Sequence, residues 1–384
     1  MSWLVHISSA VYLAILSFKG AAALIAVRIA ERLPSQASPP RASDVTVMQP
    51  ILSGDPQLSS VLEENLTRLP QANFAWLIDE TDRDAREVAA ALIARHPDRA
   101  IEVLLFPEPP GATSPKTFKL HGALPLMNTM FCLVLDDDAA LKLEALESLI
   151  GALADADLAT ALPGYRDGGG SPGRFLEQFV NNNAALTYLP PLPFAEALSI
   201  NGMCYAFRTE VFKACDAYGP ILGHLADDLA LARRLRQQGL RIVQTLASVE
   251  VRTSVANWRR YRQQMHRWFL FATLLLQEQS GSVKLAIGLL HGLPPVALIV
   301  LFGAVLVDPS WWSASWLVGV LILRAAVICG FQKRLAGKVR HRLVISIASE
   351  MLQPFHLLHA TFVRTIRWRT RIYRVHANDA FKSE

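Results

Sequence analysis

Apolar positions follow three regimes along the chain. Residues 3–30 form a nearly unbroken apolar run, interrupted by His6, Lys19 and Arg28. Its charges lie within and after the run and no small-residue cleavage site is evident, so an uncleaved N-terminal membrane helix is expected in place of a signal peptide. Lys19 is costly at the centre of such a helix, unless it faces other helices or the helix lies shallow. From 44 to 250 the pattern changes to short alternations. Beyond 284 long apolar runs return: Leu285–Val307 is free of formal charge and long enough to cross about 30 Å of hydrocarbon. Its Pro294-Pro295 pair predicts a kink. Trp311–Phe331 is a further span, with Trp311, Trp312 and Trp316 suited to the interface and Arg324 as its one charge. Leu343–Val363 holds Glu350, Gln353, Pro354, His356 and His359. If it crossed, the arginines after it would lie outside, against the positive-inside rule, so an interfacial or re-entrant segment is expected.

In the middle region, Asp44–Leu52 reads as a strand that breaks at Gly54-Asp55-Pro56. Leu58, Val61, Leu62, Leu66 and Leu69 recur at helical spacing over 57–69. Strands are expected at Phe74–Ile78, Ile101–Phe106 and Met130–Leu135, with helices at Asp84–Arg95, Lys116–Met127 and Leu141–Leu153. Such alternation argues for an α/β fold with a mostly parallel sheet, in which ligands bind beyond the carboxyl ends of the strands. Asp79 and Asp136-Asp137-Asp138 both stand at such ends. Gly168-Gly169-Gly170, beside Ser171-Pro172, reads as a flexible linker.

Charge sharpens this division. The net charge of +5 hides +3 over residues 1–43, −11 over 44–250 and +13 over 251–384. With a charged content of 18%, below the usual quarter, the chain is neither disordered nor built to wrap nucleic acid. The basic loop Lys333–Arg342 after the Trp311–Phe331 span puts the acidic block on the cytoplasmic side. The four cysteines show no CxxC pairing, so neither a zinc site nor a disulfide scaffold is indicated. No glycine-rich dinucleotide or P-loop motif is present.

Three clusters carry possible chemistry. Asp136 and Asp138 at a strand end offer hard oxygen ligands to Mg2+ or Mn2+ bound with a diphosphate, or serve as a cap for the next helix. Asp227 or Asp228 caps the basic helix that follows, or acts as a general base. Trp258–Leu276, with Arg259, Arg260, Arg262, Gln264, His266, Arg267 and Trp268, rests on an anionic membrane surface or grips phosphate.

Taken together, Asp79, Asp136–Asp138, Asp228 and the Gln264–Trp268 QxxRW element resemble the family 2-type inverting glycosyltransferases, and most of all the ceramide glucosyltransferase group. Local matches include Gln49-Pro50, Asp79-Glu80-Thr81-Asp82, Ser114-Pro115-Lys116, Asn201-Gly202-Met203 and Trp368-Arg369. Ser114 departs from the usual Asn, and Asp227 from a common Glu. The resemblance implies a GT-A domain with N- and C-terminal membrane helices. Its divisions are a helix and linker at 1–43, a cytosolic domain at 44–250, an interfacial QxxRW helix at 251–284, and a membrane region with basic tail at 285–384. It also implies site roles. Asp79, Lys116, Asp136, Asp138, Gln264, Arg267 and Trp268 would bind a UDP-sugar, Asp136 and Asp138 would hold Mg2+ or Mn2+, and Asp228 would be the base. The expected protein is a multi-pass enzyme of a bacterial inner membrane, with its catalytic domain in the cytoplasm. It would move a hexose onto a lipid hydroxyl, ceramide or a similar sphingolipid. Alternatives are a hopanoid or glycerolipid acceptor, a processive polysaccharide synthase, or a non-catalytic membrane scaffold.

Overall fold

The computed structural model describes residues 2–32, 41–166, 169–368 and 371–383. The expected linker at 33–40, together with Gly168 and Arg369, lies outside the described residues. The chain divides into two compact units. One comprises Met1–Glu31, Gly169–Ala195 and Val255–Arg367; the other comprises Arg32–Gly168, Glu196–Ser254 and Trp368–Glu384.

The second unit is built on an eight-stranded sheet. Its strands are β1 (Val45–Ile51), β2 (Asn73–Asp79), β3 (Ile101–Phe106), β4 (Phe131–Leu135), β5 (Ala139–Ala140), β6 (Leu158–Tyr165), β7 (Cys204–Arg208) and β8 (Ile242–Val251), in the order β3-β2-β1-β4-β7-β6-β8-β5. Every residue of β1 and β4 is buried, as expected for strands covered on both faces. The covering helices include α2 (Leu58–Arg68), α3 (Arg83–Arg95), α4 (Pro115–Ala123), α5 (Leu143–Ala152), α7 (Thr209–Ala214) and α8 (Asp227–Gln237).

The sheet is mixed and not purely parallel, with parallel pairings the more numerous. β1 pairs parallel with β2 and β4, and β6 with β8, but β7 runs antiparallel to both β4 and β6, and β5 antiparallel to β8. The reversal matters for function. Because Leu135 at the end of β4 pairs with Cys204 at the start of β7, the loop entering β7 arrives at the carboxyl edge beside Asp136.

β6 gave no strand signal because it contains Pro163 and Gly164, residues usually kept out of strand interiors. Its ladder with β8 shifts register between Thr160 and Leu162, and the proline follows that irregularity. The expected linker at Gly168–Gly170 is also corrected: Gly170, Ser171 and Pro172 form the first turn of helix α6 (Gly170–Tyr188). Two left-handed glycines, with φ of 103° at Gly169 and 79° at Gly170, turn the chain into it.

The first unit is helical. Alongside α6 it holds α1 (Ser2–Arg32), α9 (Trp258–Glu278), α10 (Gly281–Ile287), α11 (Leu293–Val307), α12 (Trp311–Ala336), α13 (Leu343–Met351) and α14 (Gln353–Phe362), and the chain leaves it within the strand β9 (Thr365–Trp368). Among the described residues, three helical stretches are long and apolar enough to cross a membrane: Trp3–Glu31, Gly281–Val307 and Trp311–Ala336. In the second of these a π-helical turn at Gly288–Gly292 precedes Pro294-Pro295 and absorbs the prolines' missing backbone donors. Leu343–Val363 forms two short helices broken at Leu352, neither of them long enough to span.

Several charged and polar residues inside this apolar unit find partners within it. The Lys19 ammonium donates to the Leu290 carbonyl at 3.1 Å. Arg324, 1% exposed, donates from Nε to Glu350 Oε2 and from Nη1 to Ser346 Oγ, each at 2.7 Å. The Tyr12 hydroxyl donates to Glu350 Oε1 at 3.0 Å. Asn182 of α6 donates to Ser346 Oγ at 2.8 Å, and Gln178 to the Arg340 carbonyl at 2.6 Å. These buried polar groups hid α6 from a reading based on apolar periodicity. Glu350→Ala leaves the Arg324 charge buried without its carboxylate, which costs about 3–5 kcal/mol. A melting curve in detergent should show a marked fall in Tm, and the double change Arg324→Leu with Glu350→Leu should recover most of it.

Candidate active site

Carboxylates and lysines gather at the carboxyl edge of the sheet, where β1, β2 and β4 end and β7 begins. Helix α4 supplies the lysines. Ser114 caps it by accepting from Thr117 N, and Pro115 opens its first turn. Three residues apart, Lys116 and Lys119 share a helix face. Lys116 Nζ lies 2.6 Å from Asp136 Oδ1 and 3.7 Å from Asp227 Oδ2, and donates to the Gly202 carbonyl at 2.6 Å. Burial opposes the Lys116 charge, but Asp136 and Asp227 more than offset it and hold the ammonium above its ordinary pKa. Lys119, 3% exposed, donates to the Ile51 carbonyl at 2.9 Å and pairs with Asp79 Oδ1 at 3.4 Å.

The three adjacent aspartates have separate tasks. Asp136 faces Lys116, and its backbone N–H donates to the Met203 carbonyl at 2.9 Å. Asp137 is buried and accepts from Leu52 N at 2.8 Å, tying the end of β1 to the end of β4. Asp138 accepts from the Thr253 hydroxyl at 2.5 Å, while its carbonyl accepts from Arg252 N at 2.8 Å. None of them caps α5, whose N-cap position is Lys142.

Asp228 sits in the first turn of α8 and accepts from Leu229 N at 2.8 Å. Burial, then repulsion from Asp227, pushes its carboxyl up to about 7. The loop Asn201-Gly202-Met203 packs on it. Asn201 anchors that loop by donating from N to Thr160 Oγ1 and from Nδ2 to the Ala161 carbonyl. A Cβ on Gly202 would come 3.0 Å from Asp228 Cβ. The edge thus brings together Lys116, Asp136, Asp227 and Asp228, with Lys119 and Asp79 paired beside Ile51.

These features describe an acidic, lysine-balanced carboxyl edge on a mixed α/β sheet. The chain matches the family model for glycosyl transferase family 21 over residues 1–381. It belongs to glycosyl transferase family 21. Among solved structures it is similar to the mannosyltransferase PcManGT from Pyrobaculum calidifontis in complex with GDP-Man and Mn2+. That likeness has 17% identity and a TM-score of 0.52, and covers 91% of this chain and 98% of that one. Similarity to S. aureus TarS 1–349 in complex with UDP-GlcNAc is lower, with 12% identity and a TM-score of 0.39 over 88% and 99% of the two chains. No curated protein sequence matches. The family makes the chain a glycosyltransferase, and the mixed sheet is the GT-A-like fold.

The remaining expected residues of this family 21 enzyme, Gln264, Arg267 and Trp268, lie partly buried on α9 of the helical unit. Trp268 stacks on Phe179 at 5.9 Å. Asn257 caps the helix by accepting from Arg260 N at 2.9 Å, and Tyr261, Met265, His266, Leu270 and Leu274 form its buried stripe. Arg259, Arg260 and Arg262 are exposed.

Sequence reasoning missed Lys119, Thr253 and the packing role of Gly202. Lys119 was findable from its i+3 spacing to Lys116 on a helix already expected. Thr253 was not, because nothing local links it to a residue 115 positions earlier. Gly202→Ala should displace Asp228 and lower turnover by about ten- to a hundred-fold, with the melting temperature nearly unchanged; steady-state kinetics beside a melting curve checks this.

Proposed function

We propose that this glycosyltransferase moves a hexose from a UDP-sugar to the hydroxyl of a membrane lipid, with inversion at the anomeric carbon. The observation that carries the reading is the placement of Asp228. It lies in a half-buried site at the carboxyl edge of the sheet, with a carboxyl pushed up to about 7, suited to accepting a proton near neutral pH. In a single displacement, the lipid hydroxyl oxygen attacks the anomeric carbon as its proton passes to Asp228, and the bond to the nucleoside diphosphate breaks on the opposite face. Asp79 is assigned to the nucleoside and Lys116 to the diphosphate. Lys116 already neutralises Asp136 and keeps a positive charge at the edge.

The donor set fits a divalent cation. Mg2+ or Mn2+ takes one or two protein carboxylates together with substrate phosphates, and Asp136 and Asp138 supply hard oxygens on one turn. No cluster of three or more His, Cys, Asp or Glu ligands occurs among the described residues, in keeping with a cation that depends on the donor for its remaining ligands. When bound, it would offset charge developing on the leaving diphosphate. Thr253 then orients Asp138, and Asp137 fixes the turn that carries both ligands.

The lipid acceptor is supported by the three membrane-length helices and by α9, amphipathic and basic at its exposed start, which suits the membrane interface. Gln264, Arg267 and Trp268 are assigned to the diphosphate and the acceptor mouth. A sphingolipid such as ceramide is the acceptor that the family membership favours; a hopanoid or glycerolipid would use the same chemistry.

Three outcomes test the reading. Asp228→Asn should abolish transfer from UDP-sugar to lipid while the protein still inserts and melts normally; retained transfer, seen by mass spectrometry of extracted lipid, would remove the base assignment. Because the base must be deprotonated, kcat/KM should rise with pH up to about 7 and then level off. Asp227→Asn removes the repulsion and should shift that acid limb to lower pH, though only in part, since burial is the larger cause.

A further inference from the structure

The last residues of the chain form a β-hairpin within the sheet unit. β10 (Arg371–Ala377) pairs antiparallel with β11 (Ala380–Ser383). Tyr373, Val375 and Phe381 are buried, while Ile372, Arg374 and His376 are exposed, and Tyr373 meets Phe381 edge-on at 5.6 Å. The turn is Asn378-Asp379, a composition that usually faces water. Asp379 is exposed, but Asn378 is only 4% exposed.

The reason is its partner. Asn378 Oδ1 accepts from Ala226 N at 2.8 Å, its Nδ2 donates to the Ala226 carbonyl at 3.4 Å, and its own carbonyl accepts from Leu225 N at 3.0 Å. Ala226 is the N-cap residue of α8, directly before Asp227 and Asp228, and offers no capping side chain. Ser, Thr, Asp or Asn is preferred there. Here the buried entry to the helix is fixed from outside by an amide more than 150 residues later in sequence.

We propose that Asn378 is a positioning residue for the catalytic carboxylate, and that the C-terminal hairpin clamps the first turn of α8 on the sheet edge. The proposal rests on the assignment of Asp228 as base. Two contacts then fix that carboxylate. Gly202 packs against its side chain, and Asn378 holds the backbone leading into it. Loss of the amide leaves the buried Ala226 N–H without its acceptor, a costly state that the helix entry can relieve only by moving.

The test compares Asn378→Ala, Asn378→Asp and Asp228→Asn in the full chain reconstituted in lipid. Steady-state kinetics are read together with amide hydrogen exchange over residues 222–230. Asn378→Ala should lower kcat at least tenfold, keep the donor KM within twofold, and speed exchange at 225–229 while β1 and β4 stay protected. Asn378→Asp keeps the acceptor for Ala226 N and should recover part of the loss; if the alanine variant does not fold, this variant decides by the same criteria. Unchanged kcat in Asn378→Ala, or faster exchange spread across the whole sheet, overturns the proposal. If Asp228→Asn is inactive in that event, the function stands and only the clamp fails. If Asp228→Asn is fully active, the base assignment fails, and the positioning role falls with it.

Discussion

The ammonium of Lys116 is the group around which the site is organised. Asp136, Asp227 and Asp228 converge from two distant parts of the chain on one edge of a sheet, and like charges brought together repel. Lys116 lies within ion-pair distance of Asp136 and Asp227 and is anchored by the Gly202 carbonyl. It therefore joins β4, the loop entering β7, and α8 in one electrostatic unit. Asp228 is left outside direct pairing, which is why burial and Asp227 raise its carboxyl. The aspartate whose carboxyl is raised is thus the one that this lysine does not pair with.

The same rule of matched charge governs the helical unit. Arg324, Glu350, Tyr12 and Ser346 satisfy one another, and Lys19 finds a backbone carbonyl on another helix. Left alone, Lys19 or Arg324 would make its apolar segment a poor membrane helix; as sets, these groups fix which helices pack together.

Much of the fold could be read from the sequence where local signals were strong. β1, β2, β3 and β4 were evident from apolar runs ending in turn residues, and the three long helices from their length. The aspartates were visible because they follow such strands. Elements whose stabilisation is not local were missed. β6 carries a proline and a glycine and relies on its neighbours for order. The burial of α6 is polar, and β7 is reversed by a topology that no single segment encodes. Lys119, Thr253 and Asn378 act through partners between 40 and 152 positions away, a relation to which periodicity and spacing are blind. The division of labour among Asp136, Asp137 and Asp138 was equally hidden, since alternation along a turn does not reveal which carboxylate faces Leu52.

The proposed reaction is a single in-line displacement at this edge with a membrane lipid as acceptor. Its most direct test is the anomeric configuration of the product formed by the purified chain in lipid bilayers from an α-linked UDP-hexose, read from the proton coupling at the anomeric carbon by NMR. One sugar per lipid in β linkage is expected. An α-linked product, or sugar released as polymer, would contradict it.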